Sequence, residues 1–281
     1  MDKKIVIFAY NFPHKKTQDF LLRMNLYNIR PALMLISPPK KLNLPETFLK
    51  DKYKSIGLLH PRDICRMMDV PCEEIDHNDS RVPMIIKYHN IELGLIAGAR
   101  ILNPCIIKSI PMGIINYHPG LIPENRGLNT VKWAIKLNLS QGMTTHLIDE
   151  KVDRGTIINK YLIPIYDTDN LKDINMRIYD LQVWNLIMSL NFFDNSHEII
   201  KLNGNTGYHP SADKKVDKEV LSKFFEYRNF WSIDKNGWRC KCRSKNLSFK
   251  DNFALCSDCM TRYKLIKNKE VGEILDLQLE Q

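Results

Sequence analysis

Two short stretches of this 281-residue chain combine residue types suited to acyl transfer, and a third gathers four thiols. The first stretch is Ile115-Asn116-Tyr117-His118-Pro119-Gly120-Leu121-Ile122-Pro123-Glu124-Asn125-Arg126-Gly127. Asn116 and His118 are two positions apart, so on a strand both side chains project to one side. A carboxamide beside an imidazole offers hydrogen-bond donors to an oxygen that gains negative charge, which acyl transfer requires. By itself Asn-x-His is also the pattern of a hydrogen-bonded structural histidine. The second stretch, Gln141 to Gly155, reads as a strand followed by a tight turn holding Asp149, Glu150 and Asp153. A partly desolvated carboxylate among acidic neighbours has its pKa raised towards the range of a general base. A solvated acidic turn is the plainer alternative. The thiols are Cys240, Cys242, Cys256 and Cys259, in a Cys-x-Cys-x13-Cys-x2-Cys pattern. Two close pairs joined by a short loop suit a tetrahedral Zn2+.

The elements that must position these groups follow from periodicity. Strands are expected over 4–10, 32–36, 72–75, 93–97, 113–117, 143–148 and 156–165. Helices are expected over 16–27, 61–68, 80–88, 101–109 (despite Pro104), 130–137 and 171–193. Strands alternating with helices of this length predict an α/β fold: a mainly parallel, Rossmann-like sheet flanked by helices. In such sheets the ligand lies beyond the carboxyl ends of the strands, where Asn116 and His118 would stand. Asn203 to Lys215 has the composition of a boundary, giving a catalytic domain over 1–205 and a small C-terminal module over 206–281.

Composition narrows the class. Hydrophobic residues at 44% and charged residues at 26% describe a chain able to bury a core, which excludes disorder as the main state. No run of eighteen apolar residues exists and the N-terminal apolar stretch is short, so a cytoplasmic protein without a membrane partner is expected. The net charge of +9 is spread along the chain and suits anionic partners such as nucleotides, folates or RNA, or a solvated Lys-rich surface. Seven cysteines, an odd number, argue against a disulfide framework. Cys65, Cys72 and Cys105 stand alone and read as small core hydrophobes.

The two polar stretches together resemble the N-terminal domain of the 10-formyltetrahydrofolate-dependent formyltransferases. That family includes the methionyl-tRNA, glycinamide ribonucleotide and amino-sugar formyltransferases. The likeness is carried by Asn116-x-His118, by Leu121-Ile122-Pro123 with Arg126-Gly127, and by Val152-Asp153-Arg154-Gly155. A third block, Ile96-Ala97-Gly98-Ala99-Arg100-Ile101-Leu102, is similar to the segment that lies against the folate's pterin. The resemblance spans about residues 3–190. It implies formyl transfer from 10-formyltetrahydrofolate to a primary amine, with Asn116, His118 and Asp153 as catalytic residues. Asn116 would donate to the oxyanion, His118 would stabilise it or protonate the leaving nitrogen, and Asp153 would accept the amine proton and orient His118. Gly98, Arg100, Ile101, Leu102, Asp149 and Val152 would hold the folate. Tyr10, Phe12 and Trp133 are candidates to stack on an acceptor base, and Arg126 is carried as an acceptor-binding residue. The Gly-rich phosphate loop of the ribonucleotide enzyme is replaced here by Ala9-Tyr10-Asn11-Phe12-Pro13-His14-Lys15-Lys16, which demotes that acceptor. The formyl-folate hydrolase, with its extra N-terminal domain, is demoted too. A nucleotide-linked amino sugar or other small amine is the first expectation, and methionyl-tRNA the alternative. A non-enzymatic RNA-binding protein that keeps the fold is the contrasting class.

Trp238-Arg239-Cys240, Asn246 and the closing Cys-x2-Cys resemble a RanBP2-type zinc finger. Zn2+ would there supply folding free energy that a small core cannot. The resemblance implies RNA or protein binding, and Arg239, Lys241, Arg243, Lys245 and Lys250 form an acid-free basic run. The first expectation for this module is structural: it packs on the catalytic domain or at a homodimer contact. If it holds RNA, tRNA rises as the acceptor.

Overall fold

The computed structural model describes residues 3–50, 54–192, 207–233, 240, 242, 244, 247–267 and 274–279. The Ile-Val-Ile-Phe-Ala run at the start forms β1 (Ile5–Tyr10), buried up to Tyr10. Next in the chain are α1 (Lys15–Leu26), β2 (Leu33–Ser37), α2 (Pro61–Met68), β3 (Cys72–Glu74), α3 (Val82–Tyr88), β4 (Leu93–Ile96), α4 (Pro104–Lys108) and β5 (Ile114–His118). These five strands pair in parallel in the order β3-β2-β1-β4-β5. The second half contains β6 (Arg126–Gly127), α5 (Thr130–Leu137), β7 (Gly142–Leu147), β8 (Ile157–Leu162), α6 (Leu171–Phe192), β9 (Tyr208–His209) and α7 (Lys214–Trp231). The strands β10 (Leu247–Lys250), β11 (Phe253–Cys256), β12 (Arg262–Lys267) and β13 (Ile274–Leu279) close the chain.

From β5 onward every pairing in the main sheet is antiparallel: β7 and β8 add next to β5, and β13-β12-β11-β10 continue beyond β8. The expected mainly parallel sheet is thus a mixed one. α5 lies between β5 and β7 in the chain without acting as a crossover to a parallel neighbour. β6 and β9 form a separate parallel pair in which Arg126 faces Tyr208.

Both faces of the parallel half are covered, which is why its strands are apolar without alternation. Ile5, Ile7, Ala9, Met34, Ile36, Leu93, Leu95 and Ile115 face one core with Phe20, Leu21 and Met24 of α1 and the buried side of α6. Val6, Phe8, Leu33, Leu35 and Ile114 face the other, with Val82 and Ile86 of α3 and Ile106 of α4. α2 and α5 have the expected bounds, whereas the helix expected over 101–109 begins at Pro104. Proline suits a first helical turn, where no N–H is needed, and disrupts an interior. Among the described residues no helix is long and apolar enough to cross a membrane.

Within the segment expected as a module over 206–281, α7 packs on α5. Val216, Val220 and Tyr227 of α7 belong to the same core as Val131 and Ile135 of α5. The chain beyond α7 has its own small cluster: Cys240, Ala254, Cys256, Tyr263 and Leu265, packed with Leu121 and Leu162 of the main body.

A buried ion pair ties α5 to α7. Lys132 Nζ lies 2.8 Å from Asp217 Oδ1, and the two side chains are 1% and 0% exposed. Lys132 also donates to Thr47 Oγ1 at 2.8 Å and to the Leu49 carbonyl at 2.9 Å. The other Asp217 oxygen accepts from the Thr47 hydroxyl and from the Phe48 and Leu49 amides at 2.8 and 2.9 Å. The irregular segment around Thr47–Leu49 is thereby pinned to both helices. Burial pushes the Asp217 carboxyl up, but the bonds from Lys132, Thr47 and the two amides outweigh it and hold it below the usual carboxylate range.

Removing one partner leaves an uncompensated buried charge, so Lys132→Met should destabilise the fold by about 3–5 kcal/mol in urea titration. The lowered carboxyl adds a pH signature. Its stabilisation is present above the unfolded Asp value of about 3.9 and is lost as pH falls below it. Asp217→Asn should therefore flatten the acid limb of the stability curve.

Candidate active site

The site is built where β5 meets β7. Asn116 pairs with His146 and His118 with Thr144 across the antiparallel ladder. Asn116 Nδ2 lies 3.3 Å from His146 Nε2. His146 is fully buried, and this burial pushes its imidazole down to about 4, with the nearby His118 acting in the same sense and the Asp153 carboxylate opposing it. It is therefore neutral at pH 7. Its Nδ1 stands 3.3 Å from the Leu147 carbonyl, which can only accept, so Nδ1 carries the proton and Nε2 receives the Asn116 amide. That contact sets which end of the Asn116 carboxamide is the donor.

The His118 imidazole is 3% exposed, and its Nε2 donates to the Asn125 carbonyl at 2.8 Å. Its Nδ1 is left facing Asp153 Oδ2 at 3.5 Å. The other Asp153 oxygen stands 3.7 Å from His146 Nε2. One carboxylate thus sits between two imidazoles, and its Oδ2 also accepts the Gly127 amide at 3.0 Å.

Asp153 adopts a left-handed backbone (φ 49°), which Asp tolerates better than most residues. The turn carrying it folds back on the strand it leaves. A Cβ on Gly155 would stand 1.6 Å from the Leu147 carbonyl oxygen, so only glycine lets the turn close. Arg126 braces the same turn, its guanidinium donating to the Val152 carbonyl at 3.2 Å. Arg126, expected to touch the acceptor, is 3% exposed and stands outside the cavity lining, behind the turn it braces.

A cavity of about 770 Å3 opens above these groups, and Asn116, His118 and Asp153 line it together. Gly98, Arg100, Ile101 and Leu102 supply part of the wall, and Asp149 and Val152 another part. The 98–102 segment is held from outside by Asn78, which donates to the Ile101 carbonyl at 2.9 Å and accepts the Asn103 amide at 2.7 Å. Tyr10 lines the cavity and donates to the Ala99 carbonyl at 2.9 Å, with Arg100 over its ring. A Cβ on Gly98 would meet that ring at 2.7 Å, so the glycine makes room for it. Phe12 stacks on Tyr10 at 5.0 Å and stands outside the lining. Trp133 is also outside, stacked on His209 at 4.7 Å. Lys16 lines the cavity and donates to the Tyr117 carbonyl at 3.2 Å, while Lys15 is paired with Asp19. His146 carries no local signal in the sequence, because only the strand register places it opposite Asn116.

The four C-terminal thiols also converge. The sulfurs of Cys240, Cys242, Cys256 and Cys259 all lie within 4.8 Å of one another. Four sulfurs about 2.3 Å from a central Zn2+ stand roughly 3.8 Å apart, so the set fits a tetrahedral ion. Cys240 accepts a contact from the Tyr263 hydroxyl at 3.1 Å, and Met260 closes the second knuckle in a left-handed conformation. Trp238, Arg239, Lys241, Arg243, Lys245 and Asn246, which carried the finger resemblance and its basic run, lie outside the described residues.

Residues 64–190 match the family model described as formyl transferase. A Bacillus subtilis phosphoribosylglycinamide formyltransferase is 33% identical over 99 residues, 34% of this chain and 51% of that protein. A methionyl-tRNA formyltransferase from Chlorobium chlorochromatii is 29% identical over 116 residues, 41% of this chain and 37% of that protein. The chain thus spans about half or less of the curated relatives it matches. A solved sugar N-formyltransferase from a Shewanella species superposes with a TM-score of 0.53 at 18% identity, covering 87% of this chain and 95% of that one. Residues 64–190 therefore carry the formyl transferase sequence pattern, on a fold that a solved sugar N-formyltransferase shares.

Proposed function

We propose that this chain transfers a formyl group from 10-formyltetrahydrofolate to a primary amine carried by a nucleotide-linked amino sugar or another small molecule. One observation carries the reading: the Asp153 carboxylate lies between His118 and His146, beside Asn116, in the wall of a 770 Å3 cavity. The folate supplies a formyl carbon bonded to N10. Asn116 donates from Nδ2 to the formyl oxygen as that oxygen gains negative charge. Asp153 accepts the proton that the incoming amine loses on forming its bond to carbon. His118 exchanges that proton through Nδ1, its free nitrogen, and delivers it to N10 as the C–N10 bond breaks. His146, neutral, keeps the Asn116 amide turned to donate. The 98–102 wall and the Asp149–Val152 turn offer the pterin backbone groups on two sides.

A cavity of this size holds a drug-sized ligand and part of a second, which favours a small amine over a macromolecule. A tRNA acceptor is the second reading, because the cysteine cluster packs against Leu121, three residues past His118. In both, Zn2+ bound by Cys240, Cys242, Cys256 and Cys259 is structural: four thiolates leave no open position for chemistry.

Losing one oxyanion donor removes about 3–4 kcal/mol of transition-state stabilisation, so Asn116→Ala should cut turnover roughly a hundred- to a thousandfold. Asp153→Asn should lower it at least as far, with unchanged circular dichroism in both variants. Tetrahydrofolate release measured with nucleotide-linked amino sugars and with methionyl-tRNA should favour the sugars. Formylation of the tRNA alone would select the second reading, and turnover with neither amine would remove both. Metal analysis should find one zinc per chain, and Cys256→Ser should lose it with a fall in Tm.

A further inference from the structure

Three cysteines stand apart from the metal-binding set. Cys65 is buried as expected, while Cys72 is half-buried and Cys105 exposed, which corrects the reading of those two as core hydrophobes. The other four lie where the C-terminal strands meet the main body. Cys240 and Cys256, both buried, share one packed cluster with Ala254, Tyr263, Leu265, Leu162 of β8 and Leu121. Each opens a tight turn: the Cys240 amide donates to the Ser244 carbonyl at 3.0 Å, and the Cys256 amide to the Thr261 carbonyl at 2.9 Å. The closest sulfurs belong to different turns, Cys240 with Cys259 at 3.3 Å and Cys242 with Cys256 at 3.5 Å. An ion held by all four therefore fastens one turn to the other.

Leu121 faces two ways. Its buried side chain lies in the cysteine cluster, and a Cβ on Gly142 would meet its Cδ2 at 2.7 Å, so β7 leaves it little spare room. Its carbonyl accepts the Asn125 amide at 2.8 Å, and the Asn125 carbonyl is the acceptor of His118 Nε2. The Thr144 hydroxyl holds the peptides on either side, donating to the Gly120 carbonyl at 2.8 Å and accepting the Ile122 amide at 3.0 Å. A hydrogen bond on one imidazole nitrogen decides which nitrogen carries the proton. The Asn125 carbonyl puts it on Nε2 of His118 and leaves Nδ1 to Asp153. One buried leucine thus links the sulfurs to the bond that sets the His118 tautomer.

We propose that a metal ion bound by Cys240, Cys242, Cys256 and Cys259 positions His118 through Leu121. Thr144 fixes the two flanking peptides, so the 121–125 turn swings about those points, and the Leu121 side chain limits the swing. With both cysteine turns fastened, the cluster stays tight against Leu121 and the Asn125 carbonyl stays on His118 Nε2. With the turns unfastened, the leucine loosens, that bond lengthens, and the imidazole samples both neutral tautomers. A proton on Nδ1 then blocks exchange with Asp153. Leu121 is a positioning residue and the thiolates touch no reactant. The effect on turnover rests on the formyl-transfer reading; the effect on the tautomer does not.

The test uses the full-length protein with isotope-labelled histidine, observed in nitrogen–proton NMR correlation spectra. Loaded with zinc, His118 should show the Nε2-protonated pattern and His146 the Nδ1-protonated one. Leu121→Ala, with its zinc retained, should turn His118 into a mixture of tautomers and leave His146 unchanged. Its kcat for formylation should fall about tenfold, as for the loss of an orienting outer contact, with the KM for the folate unchanged. Leu121→Met, which refills the space, should restore the tautomer and kcat. Zinc removal with EDTA should shift His118 in the same way, and zinc addition should reverse it. A zinc-loaded Leu121→Ala protein whose His118 keeps the wild-type pattern would overturn the proposal, and so would a wild-type chain that binds no zinc. Tautomers that follow the metal in a protein that formylates no amine would sink the formyl-transfer reading and support this one.

Discussion

β7 runs antiparallel to β5, and the register of that pairing decides what the centre of the molecule contains. With Asn116 opposite His146 and His118 opposite Thr144, an amide and two imidazoles share one side of two neighbouring strands. A slip of one residue would send His146 to the other face of the sheet. The turn after β7 can reach these side chains only by folding back, which the close approach at Gly155 permits and the Arg126 contact to Val152 secures. The carboxylate therefore arrives through backbone geometry, with no long side chain needed to bridge a gap.

Burial then assigns the charges. The site holds two imidazoles and one carboxylate, and complete removal of His146 from water leaves it neutral. His118 has its Nε2 committed to a backbone carbonyl, which leaves one nitrogen for proton exchange. Asp153 keeps partial access to the cavity while the Gly127 amide fixes one of its oxygens. His146 thus has both nitrogens engaged, while His118 and Asp153 remain able to exchange a proton and both line the one cavity. Preorganisation of this kind places dipoles before charge develops, which is where electrostatic catalysis draws its strength.

How much of this is readable in the chain depends on the range of the interaction involved. The shared face of Asn116 and His118 follows from a two-residue spacing, and the bounds of α2 and α5 from local periodicity. At Pro104 two local signals compete, and the proline's first-turn preference prevails over the surrounding apolar pattern. His146 needed a strand register, Arg126 needed the position of Val152, and α7 needed the surface of α5. All three are set by residues twenty or more positions away in the chain.

The Lys132–Asp217 contact binds three separate stretches of chain: the Thr47–Leu49 segment, α5 and α7. Every proton of the ammonium and both oxygens of the carboxylate have a partner, so neither residue can drift on its own to a neutral replacement. An inherited change here has to be a paired one, and it bears on the Thr47–Leu49 part of the connection between β2 and α2. Ser55 and Leu58 of that same connection line the large cavity. A descendant that reshaped this wall to admit a different guest would therefore carry its compensating substitutions on two distant helices.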